Sequence, residues 1–154
     1  MSASITPGEM ASEIWGACTH PIVRYITAPG SEENNFMHIV KCSASDTVGQ
    51  VMYITGDKSG EKWRVAAADP TDRSKMPGLG ILISKSTSTS GVLQFFGEIS
   101  LVFTGLTPNA KYFVGSGGNI SLTPPDPGYI QGIGLATASN VLFLPGDLSI
   151  IRHR

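Results

Sequence analysis

Short apolar segments separated by turn-forming residues are the feature that most restricts how this chain can fold. The sequence contains 18 glycines and 10 prolines, and turn signals recur about every ten residues, as they do in sandwiches and barrels. Between these signals, apolar and polar side chains alternate with the two-residue period of a strand. The pattern therefore predicts an all-β fold, a compact antiparallel β-sandwich or barrel of about ten short strands.

The predicted strands begin after Pro21, and each is bounded by a turn signal. They cover residues 22–27, 36–42, 50–55, 62–66, 80–84, 93–103, 112–114, 120–122, 129–136 and 141–144, with a last short strand at 148–151. Between the predicted strands at 62–66 and 80–84, we expect residues 67–75 to form a loop or one helical turn. The continuous apolar run at 80–84 indicates a strand buried on both faces, and the Ser- and Thr-rich residues 86–91 indicate an exposed hairpin loop.

The clearest alternation lies in residues 93–103. One face of this predicted strand carries Leu93, Phe95, Ile99, Leu101 and Phe103. We therefore expect Leu101 to lie in the core, where Leu101→Ala would cost roughly 2–5 kcal/mol. A turn is predicted to follow at residues 105–110, because Pro108 presets one central dihedral angle and Asn109 tolerates positive φ at the next.

Residues 1–21 differ from the rest, and the sequence predicts an extended N-terminal arm followed by a β domain over residues 22–154. Pro7 is placed to begin a single helical turn through residues 10–15. One turn is marginal in isolation, so we expect the arm to become ordered against a neighbouring protein, with Ile14 and Trp15 as its anchor. The alternative is that these two side chains pack on their own domain.

Composition restricts the classes of partner. Charged residues make up 15% of the chain, against about 25% in an average soluble domain, which favours a surface partly covered in an assembly. The net charge of −1 leaves no electrostatic footprint for nucleic acid. No run approaches the roughly 18 apolar residues of a membrane span, and the first residues lack the pattern of a signal peptide. We expect a soluble protein made in a cytoplasm, with no nucleic-acid or membrane partner.

No group of residues has the pattern of a catalytic, cofactor or metal site. None of the three histidines has a second ligand or base at a useful spacing. Asp69 and Asp72 lie close together, but a solvated loop explains them better than a pair of glycosidase carboxylates. Cys18 and Cys42 do not make a zinc site and are expected to be buried thiols, with a disulfide between them left open. The sequence therefore predicts no enzyme and no cofactor.

Residues 62–144 carry an ordered set of motifs that resembles a β module of tailed-bacteriophage virion proteins. The motifs are MPGLGI (76–81), GEI (97–99), GLTPNAKYF (105–113), GSGGN (115–119), LTPP (122–125) and QGIGLA (131–136). Such modules occur in head decoration (cement) proteins and in tail-fibre segments, and the chain is most similar to the decoration proteins. Residues 1–49 fall outside the pattern.

The resemblance implies a small β domain, commonly a homotrimer, on the outer capsid surface of a virion assembled in a bacterial cytoplasm. Its implied partners are the major capsid protein and further copies of this chain. Binding only the assembled, expanded shell would stabilise that shell by linkage. The family pattern contains no catalytic residues, so none is assigned here.

Two other functions remain open. The chain could be a tail-fibre, head-fibre or baseplate component that contacts the host surface, where Tyr129 or Trp63 could bind sugar if core packing does not occupy them. A small carbohydrate-acting enzyme or lectin-like module is the third hypothesis. The candidate residues for protein interaction are Ile14, Trp15 and Tyr129.

Overall fold

A computed structural model describes residues 36–152, and these residues form an all-β fold. The predicted fold class is thereby confirmed. Twelve short strands and two 3-10 helices, Arg73–Lys75 and Ser116–Gly118, lie within the described range. The strands form a closed five-stranded barrel, an open five-stranded sheet and a two-stranded ribbon. The predicted arm and the predicted strand at 22–27 lie outside the described residues.

The barrel consists of the first five strands, in the order β1-β3-β2-β4-β5, and β1 pairs with β5 to close it. They are β1 (Met37–Lys41), β2 (Val51–Ile54), β3 (Trp63–Ala67), β4 (Gly80–Thr87) and β5 (Ser90–Gln94). The β1–β3 pair is parallel, whereas the other barrel pairs are antiparallel. The predicted antiparallel pairing therefore has an exception at this pair. A parallel pair needs a connection that crosses over, and β2 supplies it.

The open sheet has the order β6-β11-β10-β7-β8, and its pairs are antiparallel. Its strands are β6 (Gly97–Ser100), β7 (Lys111–Val114), β8 (Ile120–Ser121), β10 (Gly132–Ala138) and β11 (Val141–Leu144). The remaining strands, β9 (Tyr129–Ile130) and β12 (Ile151–Arg152), form the ribbon.

Two apolar cores hold these layers together, and β2 and β4 contribute to both. The barrel interior contains Val40, Cys42, Met52, Val65, Leu82 and Leu93. The second core joins the barrel to the open sheet and includes Val51 and Ile81 together with residues of β6, β7, β10 and β11. Because neighbouring residues of a strand point to opposite faces, Ile81 enters one core and Leu82 the other. The expectation of a strand buried on both faces is confirmed at these two residues.

The predicted strand over residues 93–103 is wrong, because the chain leaves one sheet and enters another within it. β5 ends at Gln94 in the barrel, and β6 begins at Gly97 in the open sheet. Gly97 has a φ of 91°, a conformation that glycine adopts without steric cost. The Gln94 side-chain amide donates hydrogen bonds of 2.9 Å to the carbonyl oxygens of Phe96 and Glu98 and so holds the corner.

Leu101, which was expected in the core, is 90% exposed. Leu93 and Ile99 of the same alternating pattern are buried. Leu101 follows the end of β6 and has a φ of 67°, a region that leucine rarely adopts. The two-residue period therefore fails where the backbone turns out of the sheet, and the side chain points to solvent.

The other predicted boundaries are mostly confirmed, but the last strand, expected at 148–151, is Ile151–Arg152. The turn before β7 has the Ala110 amide donating to the Thr107 carbonyl at 3.1 Å, and Asn109 has a positive φ, 66°, which asparagine was expected to tolerate at this position. The hairpin loop expected at 86–91 is shorter, since β4 continues to Thr87 and β5 begins at Ser90. The strand expected at 129–136 is divided at Gln131 into β9 and β10.

Candidate functional site

Tyr129 lies at the start of β9, half-buried against the core between the barrel and the open sheet. Its backbone amide donates to the Pro70 carbonyl at 2.8 Å, which ties β9 to the loop that follows β3. From that loop, the guanidinium carbon of Arg73 lies 5.5 Å from the centre of the Tyr129 ring. β12 places Arg152 opposite Tyr129 in the ribbon. One face of the fold thus brings together an aromatic ring and two arginines from distant parts of the sequence.

A cleft of 580 Å³ opens beside Tyr129. It is lined by Asp69, Thr71, Asp72, Arg73, Pro127, Gly128, Tyr129 and Arg152. Its volume lies in the range of about 300–1,000 Å³ that is usual for small-ligand pockets. The charged lining consists of two carboxylates and two guanidinium groups, so the cleft has no net charge.

The two carboxylates are held by local hydrogen bonds within the loop. Oδ1 of Asp69 accepts from the Thr71 amide at 3.0 Å and from the Thr71 hydroxyl at 2.8 Å. Oδ1 of Asp72 accepts in the same way from Ser74, at 2.9 Å and 2.7 Å. Bonds from the Ser74 hydroxyl and amide lower the pKa of Asp72 below its usual value, because they stabilise the charged form. Asp72 is therefore an acceptor in the cleft and not a proton donor.

The arginines of the cleft do not form ion pairs with these carboxylates. Within residues 36–152, neither Arg73 nor Arg152 forms an ion pair, and the guanidinium of Arg73 has only its contact with the Tyr129 ring. Oδ2 of Asp69 and Oδ2 of Asp72 likewise accept no hydrogen bond from this part of the chain. The cleft therefore presents both donors and acceptors that another molecule could use.

A second surface feature is an apolar strip, defined by Phe36, Phe96, Phe143 and Leu135. The ring of Phe96 lies 5.0 Å from that of Phe36 and 5.8 Å from that of Phe143, between centroids. Phe36 is 47% exposed, Phe96 38% and Leu135 37%. Leu135 is the cross-strand neighbour of Phe143, and residues opposite each other share a face. The strip therefore runs from Phe36, just before β1, across the corner at Phe96 to the outer face of the open sheet.

Charged side chains flank the apolar strip on the open sheet. Glu98 of β6 is paired with Phe143, and Lys111 of β7 is paired with Leu135. The row across the sheet is thus Glu98, Phe143, Leu135 and Lys111, with the apolar pair in the middle. An apolar centre with a charged border is the usual composition of a protein–protein interface.

Next to the strip, three aromatic rings cover one end of the barrel. The His38 ring stacks on Trp63 at 4.0 Å between centroids, and Phe95 lies 5.9 Å from Trp63. Trp63 packs against the barrel core, and His38 has the same side-chain direction as the buried Val40 two residues later. Core packing therefore accounts for Trp63, which the sequence had left open as a sugar-binding residue.

The described residues contain no other arrangement that suggests chemistry. Cys42 is a buried free thiol, and burial raises its pKa above the usual value, which lowers the share of the reactive thiolate. Within residues 36–152 no three His, Cys, Asp or Glu side chains are grouped as a metal site would require. The same range holds no helix that is long and apolar enough to span a membrane.

Sequence reasoning identified Tyr129 but missed the arginines beside it and the apolar strip. Arg73 and Arg152 are separated along the chain, and only the β9–β12 pairing brings them together. The one available signal for the strip was the pair Phe95 and Phe96, because two successive aromatic residues cannot face the same core in one strand.

The predicted interaction role of Tyr129 stays a prediction, and Ile14, Trp15 and Cys18 lie outside the described residues. No protein-family model matches this sequence, and no curated protein matches it.

Proposed function

We propose that this chain is a structural protein of a bacteriophage virion that binds the outer surface of the assembled capsid. In this proposal it is a decoration, or cement, protein that acts by adhesion and carries out no catalytic step. The observation that supports it is the apolar strip, with its exposed phenylalanines and its charged border. The resemblance of residues 62–144 to phage virion modules suggests the partner, the major capsid protein.

The strip suits a protein partner for a physical reason. Side chains such as Phe36 and Phe96 offer a large apolar area, and aromatic residues are enriched in protein–protein interfaces. Glu98 and Lys111 at the border add specificity through charge pairing. A surface of this kind loses unfavourable contact with water when the major capsid protein covers it.

The proposed mechanism is stabilisation by binding. A protein that binds the expanded shell but not its dissociated subunits shifts the equilibrium toward the shell. The proposed homotrimer would present three strips to one capsomer junction, and three linked contacts bind more tightly than one. The N-terminal arm, anchored by Ile14 and Trp15, would add a further contact to a neighbouring subunit.

The double variant Phe96→Ala/Leu135→Ala should bind expanded, undecorated capsids at least about tenfold more weakly than the wild type. Interface hot spots contribute more than 1 kcal/mol each, and 1.4 kcal/mol corresponds to a factor of ten. Binding is measured by co-sedimentation of the full-length chain with capsids over a range of concentrations.

The control is Leu122→Ala/Leu148→Ala, which truncates two leucines that lie outside the strip. These leucines are 50% and 47% exposed, at least as much as the two residues of the strip. Its affinity should equal that of the wild type. An equal loss in both variants, no loss in either, or no binding of the wild type would overturn the assignment of the strip to the capsid contact.

A further inference from the structure

We propose that the cleft beside Tyr129 binds an acidic sugar, such as a uronic acid residue of a polysaccharide. The two guanidinium groups would take its carboxylate, and the two aspartates would take its hydroxyl groups. The cleft shares no residue with the apolar strip, so this proposal and the capsid-binding proposal can fail separately.

The hydrogen-bond donors of the cleft are two guanidinium groups. Arg73 and Arg152 line the same cleft, and neither is paired with a carboxylate within residues 36–152. A guanidinium offers donors in a planar fork that matches a carboxylate. The position of the Arg73 guanidinium over the Tyr129 ring is a cation–π contact, which holds this group in place before a ligand arrives.

The acceptors restrict the ligand further. Asp69 and Asp72 line the cleft with the arginines, and Oδ2 of each remains available after the local bonds to Oδ1. An ionised carboxylate only accepts hydrogen bonds, so these oxygens need donors such as sugar hydroxyl groups. A ligand with several carboxylates and no hydroxyl groups, such as an acidic peptide, would instead be repelled by Asp69 and Asp72. The combination favours a sugar unit that carries one carboxylate and several hydroxyl groups, such as each unit of a polyuronate.

The backbone around the cleft keeps these groups in position. The Asp69–Thr71 and Asp72–Ser74 hydrogen bonds order the loop that carries both carboxylates and Arg73. The bond from the Tyr129 amide to the Pro70 carbonyl fixes that loop to β9. A site ordered before binding loses less conformational entropy when the ligand enters.

The test uses the full-length protein and isothermal titration with trigalacturonate. We expect a Kd of about 1 mM or tighter, and no measurable binding of the neutral trisaccharide of galactose. Arg152→Gln should weaken trigalacturonate binding at least tenfold. Arg64→Gln, which removes an exposed arginine of β3 outside the cleft, should leave binding unchanged.

Asp69→Asn separates a sugar from an acidic peptide. Asparagine keeps the Oδ1 acceptor for Thr71 but replaces the free oxygen with an amide donor, so sugar binding should fall at least fivefold, while binding of triglutamate would rise. Thermal unfolding of each variant checks that the fold is kept. Three results would each overturn the proposal: neutral trisaccharide that binds as tightly as trigalacturonate, triglutamate that binds more tightly than trigalacturonate, or no binding of trigalacturonate at about 10 mM.

Discussion

Gln131→Ala should lower the free energy of unfolding by about 3–5 kcal/mol, because each buried polar group left without a partner costs about 1–3 kcal/mol. The Gln131 side chain is 1% exposed. Its Oε1 accepts from the Gly78 amide at 2.7 Å, and its Nε2 donates to the Gly78 carbonyl at 2.8 Å. Nε2 also lies 3.3 Å from the Asp147 carbonyl, to which it donates. Alanine would leave both backbone groups of Gly78 unsatisfied and would open a cavity.

The site cannot relax easily to recover these bonds. A Cβ at Gly78 would collide with Val51, so the loop before β4 lies directly against β2, where Val51 is fully buried. Gln131 acts as the link between this loop and the start of β10. Because one side chain satisfies several buried backbone groups, its loss exposes more than one of them at once.

Gln50 provides a matched control. Its side chain also bonds the backbone twice, accepting from Thr47 at 2.9 Å and donating to Gly117 at 2.9 Å, but both of these bonds are exposed to solvent. Water replaces these bonds, so Gln50→Ala should cost about 1 kcal/mol or less. Urea unfolding of the three proteins measures the difference. Equal costs for the two variants would contradict the buried role of Gln131.

Leu93→Ala should cost about 2–5 kcal/mol, the usual range for a leucine truncated in a core. Leu93 is fully buried in the barrel interior. Leu101 belongs to the same alternating sequence pattern but is 90% exposed, and Leu101→Ala should change stability by less than about 0.5 kcal/mol. The two truncations remove the same atoms, so any difference between them reports burial alone.

Leu101→Gly tests the positive φ at residue 101 in addition to its exposure. The φ of 67° at Leu101 strains a leucine but not a glycine, so this variant should be as stable as the wild type or more stable by up to about 1 kcal/mol. Chemical unfolding with a constant m-value gives the comparison. A loss at Leu101 as large as that at Leu93 would mean that residues 93–103 form one continuous strand after all.

The sequence was sufficient for the fold class and for most strand positions, because these depend on local signals. The turn over residues 107–110 follows from Pro108 and Asn109, whose backbone preferences act within four residues. The burial of both faces at the start of β4 follows from an apolar run without alternation. Both features are set by neighbouring residues and need no knowledge of the rest of the chain.

The change of sheet after Gln94 was not predictable in the same way. Phe95 and Phe96 favour strands, and the apolar alternation continues on both sides of them. The corner depends on the Gln94 side chain bonding two carbonyl oxygens and on which sheet each half joins. Both depend on tertiary contacts, and Gly97 is the one local signal of the corner in this segment.

The surface features depend on tertiary structure even more strongly. The apolar strip exists because β1, β10 and β11 bring Phe36, Leu135 and Phe143 toward the corner at Phe96. The cleft requires the ribbon of β9 and β12. Periodicity identifies which side chains leave the core, but it does not say which of them meet.

Quantitative mass spectrometry of purified virions, separated into heads and tails, tests most directly whether this chain is a capsid-binding structural protein. We expect its peptides in the head fraction, in a fixed ratio to the major capsid protein. The protein should stay with the shell until the shell is dissociated. Recovery of the chain only with tails, or its absence from both fractions, would contradict the proposed function.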